Sequence, residues 1–185
     1  PFSEGLKIWD ALFELGVTPV GIETYANSRR LEKSLRLQNA DLEIDYNLYE
    51  AGLARPKVKA ADFHGKAAYV QQRELDQQAA YLCTFMLQDT TDSDGVVRYP
   101  VGNWPILDRK TKEVIIDAHG RRSYTTSMAF GPSLGANIAM GYLPADQAKE
   151  GDIVLIEYFG EHYEAKVMKV GYGALLDPTN ERPKS

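Results

Sequence analysis

The chain has 185 residues but only one cysteine and three histidines. Cys83 therefore has no partner within the chain, and no disulfide framework can staple the fold. It lies in the apolar run 81–87, where a reduced thiol within a core is expected. That suits the cytosol or an organelle matrix, and the chain is read as cytoplasmic. His64, His119 and His162 are far apart in sequence. None stands four residues from another ligand type on a convincing helical face, so no metal site is expected. No segment approaches about 18 consecutive apolar residues, so no helix that spans a bilayer is expected. Pro1-Phe-Ser-Glu is not a basic region followed by an apolar stretch, so no secretory signal is expected. The abrupt opening on a helix start is instead read as a boundary within a longer polypeptide.

A basic excess is missing too. The net charge of −5 argues against nucleic acid or an anionic membrane as the partner. The local cluster Arg29, Arg30, Lys33 and Arg36 is offset by Glu32, Asp41, Glu43 and Asp45. Gly131 and Gly135 are too sparse for a phosphate cradle, and no glycine run precedes Lys33. Gly131-Pro-Ser-Leu-Gly135 has the spacing of a nucleophile elbow. However, Pro132 precedes the serine and no buried strand feeds straight into it, so Ser133 is expected to cap a turn.

What is present is ordinary for a globular protein, with 44% hydrophobic and 25% charged residues. Ser3 can cap a helix that carries Leu6, Trp9, Leu12 and Phe13 on one face and stops at Gly16. Residues 17–25 read as a strand with Pro19 at its edge. Asn27 or Ser28 can cap a short helix through Leu37 with Leu31, Leu35 and Ser34 facing inward. Residues 45–53 form a turn-rich stretch closed by Gly52, and Asp62 can cap a helix through Leu75. From Tyr81 the pattern changes to strands at 81–87, 113–117, 123–127, 138–142, 153–158 and 163–170, the last two joined by a tight Gly160-Glu161 turn. The fold class is therefore α+β. Its expected parts are residues 1–79, a small antiparallel β-barrel over 80–178, and a poorly packed polar tail over 179–185.

The remaining chemistry clusters between Tyr25 and Asp45. Arg30 and Glu32 lie close together at a helix start, and an arginine there can pair bidentately with a ligand carboxylate. Tyr25, Tyr46 and Tyr49 offer flat ring surface. The alternative is a solvated charged helix with ion pairs along its own face, beside tyrosines half-buried at a domain joint.

The ordered segments Pro19-Val20-Gly21, Arg30-Leu31-Glu32-Lys33, Asp41-Leu42, Glu50-Ala51-Gly52-Leu53 and Asp62-Phe63-His64-Gly65 resemble the C-terminal part of the glycine-cleavage T-protein family. These are the folate-binding aminomethyltransferases, together with the folate modules of dimethylglycine and sarcosine dehydrogenases and related demethylases. Tyr124-Thr125-Thr126-Ser127, Pro132-Ser133-Leu134-Gly135 and Ala139-Met140-Gly141-Tyr142-Leu143 resemble that family's barrel signature. The closing Leu176-Asp177-Pro178 resembles the dehydrogenase-type and demethylase-type endings. The resemblance implies residues 1–79 as the end of a T-protein-like folate-binding region, tetrahydrofolate as cofactor, a small-molecule methyl donor, and the missing N-terminal half of that region as partner. A flavin (FAD) is implied only with an upstream dinucleotide-binding domain.

Tyr25, Arg30 and Glu32 are the residues implied to contact folate. No catalytic residue is carried over, because the family's acidic residue near the reacting carbon belongs to the missing half. The chain alone is thus expected to be inactive. Two positions depart from the family. Ala26 stands where an arginine commonly grips folate, with Asn27 at the following aspartate. Gln38 replaces an aromatic, with Asn39 at the following glycine. These departures favour, as the alternative, a non-catalytic folate-sensing or subunit-docking module that keeps the fold.

Overall fold

The computed structural model describes residues 1–75, 77–99 and 101–181. Its centre is a six-stranded antiparallel sheet built from β1 (Ala80–Leu87), β2 (Ile106–Leu107), β3 (Thr125–Gly131), β4 (Ala136–Pro144), β5 (Ile153–Tyr158) and β6 (Glu161–Val170). The spatial order is β2-β5-β6-β1-β4-β3. The sheet curls until its two edges meet at a Pro105–Tyr124 bridge. There the Thr125 N–H donates to the Trp104 carbonyl at 2.8 Å and the Ile106 N–H to the Ser123 carbonyl at 3.0 Å. Closure removes the open edge that would otherwise template pairing with another chain. The expected small barrel is therefore present.

Alternation along the strands sorts the side chains. Cys83, Phe85 and Leu87 of β1 point into the barrel with Ile106, Ala139, Leu143, Val154, Ile156, Ala165 and Val167. Ala80 and Leu82 point the other way, with Ile138, Met140 and Tyr142 of β4. That outer face is not solvated. Leu31 packs on it, with Tyr46, Leu134 and Leu175 at its margin. β1 and β4 are thus apolar on both faces, which is why both read as near-continuous hydrophobic runs.

The covering layer comes from residues 24–53. A π-helical turn, Thr24–Arg29, leads into α2 (Arg30–Glu32), and the chain then reverses at Ser34 (φ 56°). The turn ending at Gly52 lies against the end of β6. A Cβ on Gly52 would come within 2.7 Å of the Tyr172 nitrogen, and its φ of +68° is itself costly for any other residue. The Leu82 N–H donates to the Glu50 carbonyl at 2.8 Å, fastening this layer to β1.

Several local expectations are corrected. Residues 17–25 form no strand; among the described residues no strand pairs with them, and Val17, Val20 and Ile22 are exposed. The first helix, α1 (Gly5–Glu14), forms after a short turn at Phe2–Glu4, but its apolar face stays open to solvent. Leu31 and Ser34 face inward, whereas Leu35 is turned out by the reversal at Ser34. The helix expected from Asp62 is α3 (Lys66–Arg73), because Gly65 at φ +83° breaks the pattern. Residues 113–117 make only isolated bridges. The β5–β6 hairpin turns on Phe159 (φ 52°) and Gly160 (φ 79°), one residue earlier than expected, as a two-residue loop with both residues left-handed. Asn180 of the tail, and Asp177 just before it, are fastened: the Lys33 ammonium donates to the Asp177 carbonyl at 2.9 Å and to Asn180 Oδ1 at 3.0 Å. Residues 182–185 lie outside the described residues.

Candidate functional site

Three polar systems stand out where the covering layer meets the barrel. The first is built around Arg30, which is 8% exposed. Its Nη1 donates to Asp41 Oδ2 at 2.6 Å and to the Leu35 carbonyl at 3.1 Å, its Nη2 to Ser127 Oγ at 2.6 Å, and its Nε to the Ala26 carbonyl. Asp41, fully buried, also accepts from the Leu37 N–H at 2.9 Å and from Thr126 Oγ1 at 2.5 Å. The Tyr142 hydroxyl donates to the Asp41 carbonyl at 2.7 Å. This cluster ties the π-helical turn, the reversal after α2 and β3 into one body. A buried charge needs such a set of partners.

Glu32 faces a different way. Its carboxylate, fully buried, accepts from the Ser133 N–H at 2.6 Å and from Arg29 Nη1 at 3.0 Å, while Arg29 also donates to Ser133 Oγ at 2.5 Å. Its carbonyl accepts from the Leu175 and Leu176 N–H groups at 3.0 and 2.9 Å. Ser133 occupies the four-residue loop between β3 and β4, in a turn as expected. Glu32 thereby joins α2, that hairpin and the C-terminal strand exit.

The third system is a stack. The Tyr46 ring lies on the Tyr142 ring at 3.5 Å with 4° between the planes, and the Arg121 guanidinium covers its other face at 4.2 Å. Arg121 is held by Glu50 at 2.5 Å and Asp117 at 2.6 Å. Burial pushes the Tyr46 hydroxyl up to about 12, against the opposing pull of Arg121. Burial also raises Tyr142. Beside the stack opens a cavity of about 520 Å³ whose walls include Tyr46, Leu48, Glu50, Phe63, Tyr69 and Arg121. Its size is in the range of small-molecule sites.

The three residues expected to contact folate are separated by this arrangement. Tyr25 is 76% exposed on the π-helical turn. The Arg30 and Glu32 side chains are directed into separate protein networks. At the two departures from the family, Ala26 is half-buried with its carbonyl bound to Arg30, and Gln38 is exposed beside Asn39 at φ 63°. Tyr46 does join a ring stack, but both of its faces are taken. Sequence reasoning missed Asp41, Arg121 and Tyr142 as organising groups. Arg121 in particular follows His119-Gly120, which reads only as a hairpin tip. Among the described residues, no group of three or more His, Cys, Asp or Glu could hold a metal ion. No helix among them is long and apolar enough to cross a membrane.

Comparison with known proteins adds to this geometry. Residues 100–170 match the glycine cleavage T-protein C-terminal barrel domain. An aminomethyltransferase of Koribacter versatilis is 29% identical over 167 residues, covering 88% of this chain and 40% of that protein. The mitochondrial dimethylglycine dehydrogenase of Rattus norvegicus is 30% identical over 179 residues, covering 95% of this chain and 19% of that protein. Among solved structures, the glycine cleavage system aminomethyltransferase T from Bartonella henselae superposes with a TM-score of 0.70 at 23% identity, over 91% of this chain and 44% of that one. The chain spans about two-fifths of the length of the aminomethyltransferases it matches.

Proposed function

We propose that this chain, whose residues 100–170 match the glycine cleavage T-protein C-terminal barrel domain, supplies the closing portion of a tetrahydrofolate-dependent one-carbon transferase of that family. The observation that carries this reading is the meeting of two distant motifs. Arg30-Leu31-Glu32 and Pro132-Ser133-Leu134-Gly135, which carry the family resemblance from well-separated parts of the chain, are joined by the bond from the Ser133 N–H to Glu32. In this reading Tyr25 offers its ring to the folate, and Arg30 and Glu32 act by holding the turn that presents it. Catalysis is mostly positioning of donor and folate in near-attack geometry. The acidic group at the reacting carbon comes from the part of the relatives that this chain does not span. Residues 80–178 act as the barrel unit and residues 1–79 as the end of the folate-binding region. A methylated amine or other methyl donor, and a cytoplasmic setting, complete the proposal; a flavin enters only with an upstream dinucleotide-binding domain.

A second reading, a non-catalytic folate-sensing or subunit-docking module, is favoured by the open apolar face of α1 and by Ala26 and Gln38 in place of ligand-gripping residues. The two are separated by incubating the intact polypeptide with tetrahydrofolate and a donor bearing a carbon-13 one-carbon group. Label found on the folate by mass spectrometry, and lost with Tyr25→Ala, supports transfer. Label remaining on every donor tried while folate is bound supports the sensing module.

A further inference from the structure

The β5–β6 hairpin ends on a residue that its turn does not favour. A two-residue loop with both positions left-handed selects Asn-Gly or Asp-Gly. Here the first position is Phe159, at φ 52°. A bulky side chain in that region carries a backbone cost, yet the ring is 72% exposed. It lies against Tyr158 at 4.6 Å and Trp104 at 5.2 Å between centroids, and Trp104 meets Tyr158 at 4.6 Å. Trp104 in turn packs on the barrel core. The Tyr158 hydroxyl donates to the Tyr99 carbonyl at 3.4 Å, which brings the segment before Trp104 alongside the hairpin. Val96, Val97, Tyr99 and Val101 of that segment are all exposed, Tyr99 by 72%. These side chains make an apolar surface anchored in the core and open to solvent, and none of them lines the cavity beside the Tyr46–Arg121 stack. Exposed apolar groups gathered in this way mark interaction surfaces, where Phe, Tyr and Trp are enriched.

The rim of this surface is acidic. Residues 89–99 and 153–163 hold five carboxylates, Asp89, Asp92, Asp94, Glu157 and Glu161, and one guanidinium, Arg98. Arg98 is taken by Asp92 at 2.5 Å. Among the described residues, none of the other four carboxylates is in an ion pair. Glu157 and Glu161 flank the hairpin loop. The Ser93 hydroxyl donates to Glu161, which draws the turn bearing Asp92 and Asp94 to the same edge.

We propose that this surface docks a cationic, apolar segment of a partner protein, in which Lys or Arg alternates with aliphatic side chains. The aliphatic groups rest on Tyr99, Trp104 and Phe159, and the cations meet Asp94, Glu157 and Glu161. The charge selects this occupant. A second copy docked across a two-fold axis sets one acidic rim against the other, and an anionic membrane surface is repelled in the same way. A neutral or acidic peptide leaves the carboxylates without a counter-charge. The inference goes beyond the folate reading and does not depend on it, because no residue assigned to folate takes part.

The probe is a nine-residue peptide alternating lysine and leucine, capped at both ends and dye-labelled, titrated by fluorescence anisotropy into the intact polypeptide that contains this chain. Two control peptides replace the leucines by serine or the lysines by glutamate. Saturable binding of the lysine–leucine peptide is expected with a Kd below about 1 mM, and each control should bind at least about tenfold more weakly. Phe159→Asn should weaken the probe about tenfold, as loss of a central aromatic contact does. The same variant should keep its melting temperature within about 4 °C of the parent, since asparagine suits the left-handed position. Asp94→Asn with Glu157→Gln should weaken the probe about fivefold, and salt at about 0.5 M should weaken it as well. That pair of changes leaves the aromatic cluster intact, so indifference to it overturns the inference whatever Phe159→Asn does to stability. Absence of binding, equal affinity for either control, or binding unchanged by Phe159→Asn also overturns it. So does dimerisation that depends on Phe159 in a protein that binds no peptide, which assigns the surface to a second copy.

Discussion

Replacing Asp41 with alanine is expected to be among the most damaging single changes available in this chain. Its side chain is fully buried and accepts three bonds: from Arg30 at 2.6 Å, from the Leu37 N–H at 2.9 Å and from Thr126 at 2.5 Å. Deletion leaves an almost fully buried guanidinium with one carbonyl at Leu35, one at Ala26 and the Ser127 hydroxyl, and no counter-charge. Breaking a buried pair from one side costs about 3–5 kcal/mol. With a urea slope of about 2–3 kcal/mol/M, the unfolding midpoint should fall by about 1–2.5 M. The double change Arg30→Met with Asp41→Leu should lose less, because both charges leave together and the site becomes apolar. Urea unfolding followed by tryptophan fluorescence and circular dichroism reads both variants. A midpoint for Asp41→Ala within about 0.3 M of the parent, equivalent to under about 1 kcal/mol, would refute the claim that this pair organises the layer over the barrel.

Three further outcomes follow from the same geometry. Cys83 is fully buried and its thiol is pushed up to about 12 by burial, so it should resist a thiol reagent at about pH 8 in the folded protein and react at once in denaturant; rapid labelling of the native state would contradict its place in the barrel core. A Cβ at Gly141 would meet the Tyr124 carbonyl oxygen at 2.5 Å and Ile106 Cδ1 at 2.8 Å, so Gly141→Ala should destabilise by about 1–3 kcal/mol, read as a fall in melting temperature. Burial opposes ionisation of Asp117, yet the Arg121 and His119 N–H groups and the Arg121 guanidinium hold its carboxyl below the usual range. Its contribution is therefore complete well above the unfolded carboxyl value of about 3.9 and is lost as pH falls through the lower folded value, so the stability gap between parent and Asp117→Asn should narrow on acidification; a gap constant from pH 7 to pH 3, about the span of that titration, would refute it.

The strands were the most legible part of the sequence. Residues 153–158 and 163–170 alternate apolar and polar because β5 and β6 each have one face in the barrel, and that alternation is local information. β1 and β4 were legible as apolar runs, but not the reason for their double burial, since the covering layer is defined only by long-range packing, such as Leu31 in one cluster with Leu82, Ile138 and Met140. Residues 17–25 carry β-branched residues and tyrosine like a strand. They form none here because among the described residues no strand pairs with them, and β-propensity acts through pairing. The charges of Arg30 and Glu32 were visible; their targets were not. Arg30 finds its partners 11 and 97 residues away, and Glu32 finds one 101 residues away, separations that no helical spacing encodes. Arg121 was hidden for the same reason: its ring partner Tyr46 and its carboxylate partner Glu50 come from the layer, not from its own hairpin.

The account's central claim is tested most directly by calorimetric titration of tetrahydrofolate into the intact polypeptide that contains this chain. Saturable heat with a dissociation constant in the micromolar range, weakened when Tyr25 is replaced by alanine, is the predicted result. No heat at large ligand excess, from a protein whose cooperative unfolding shows it to be native, would contradict the folate assignment and leave only the barrel and its covering layer standing.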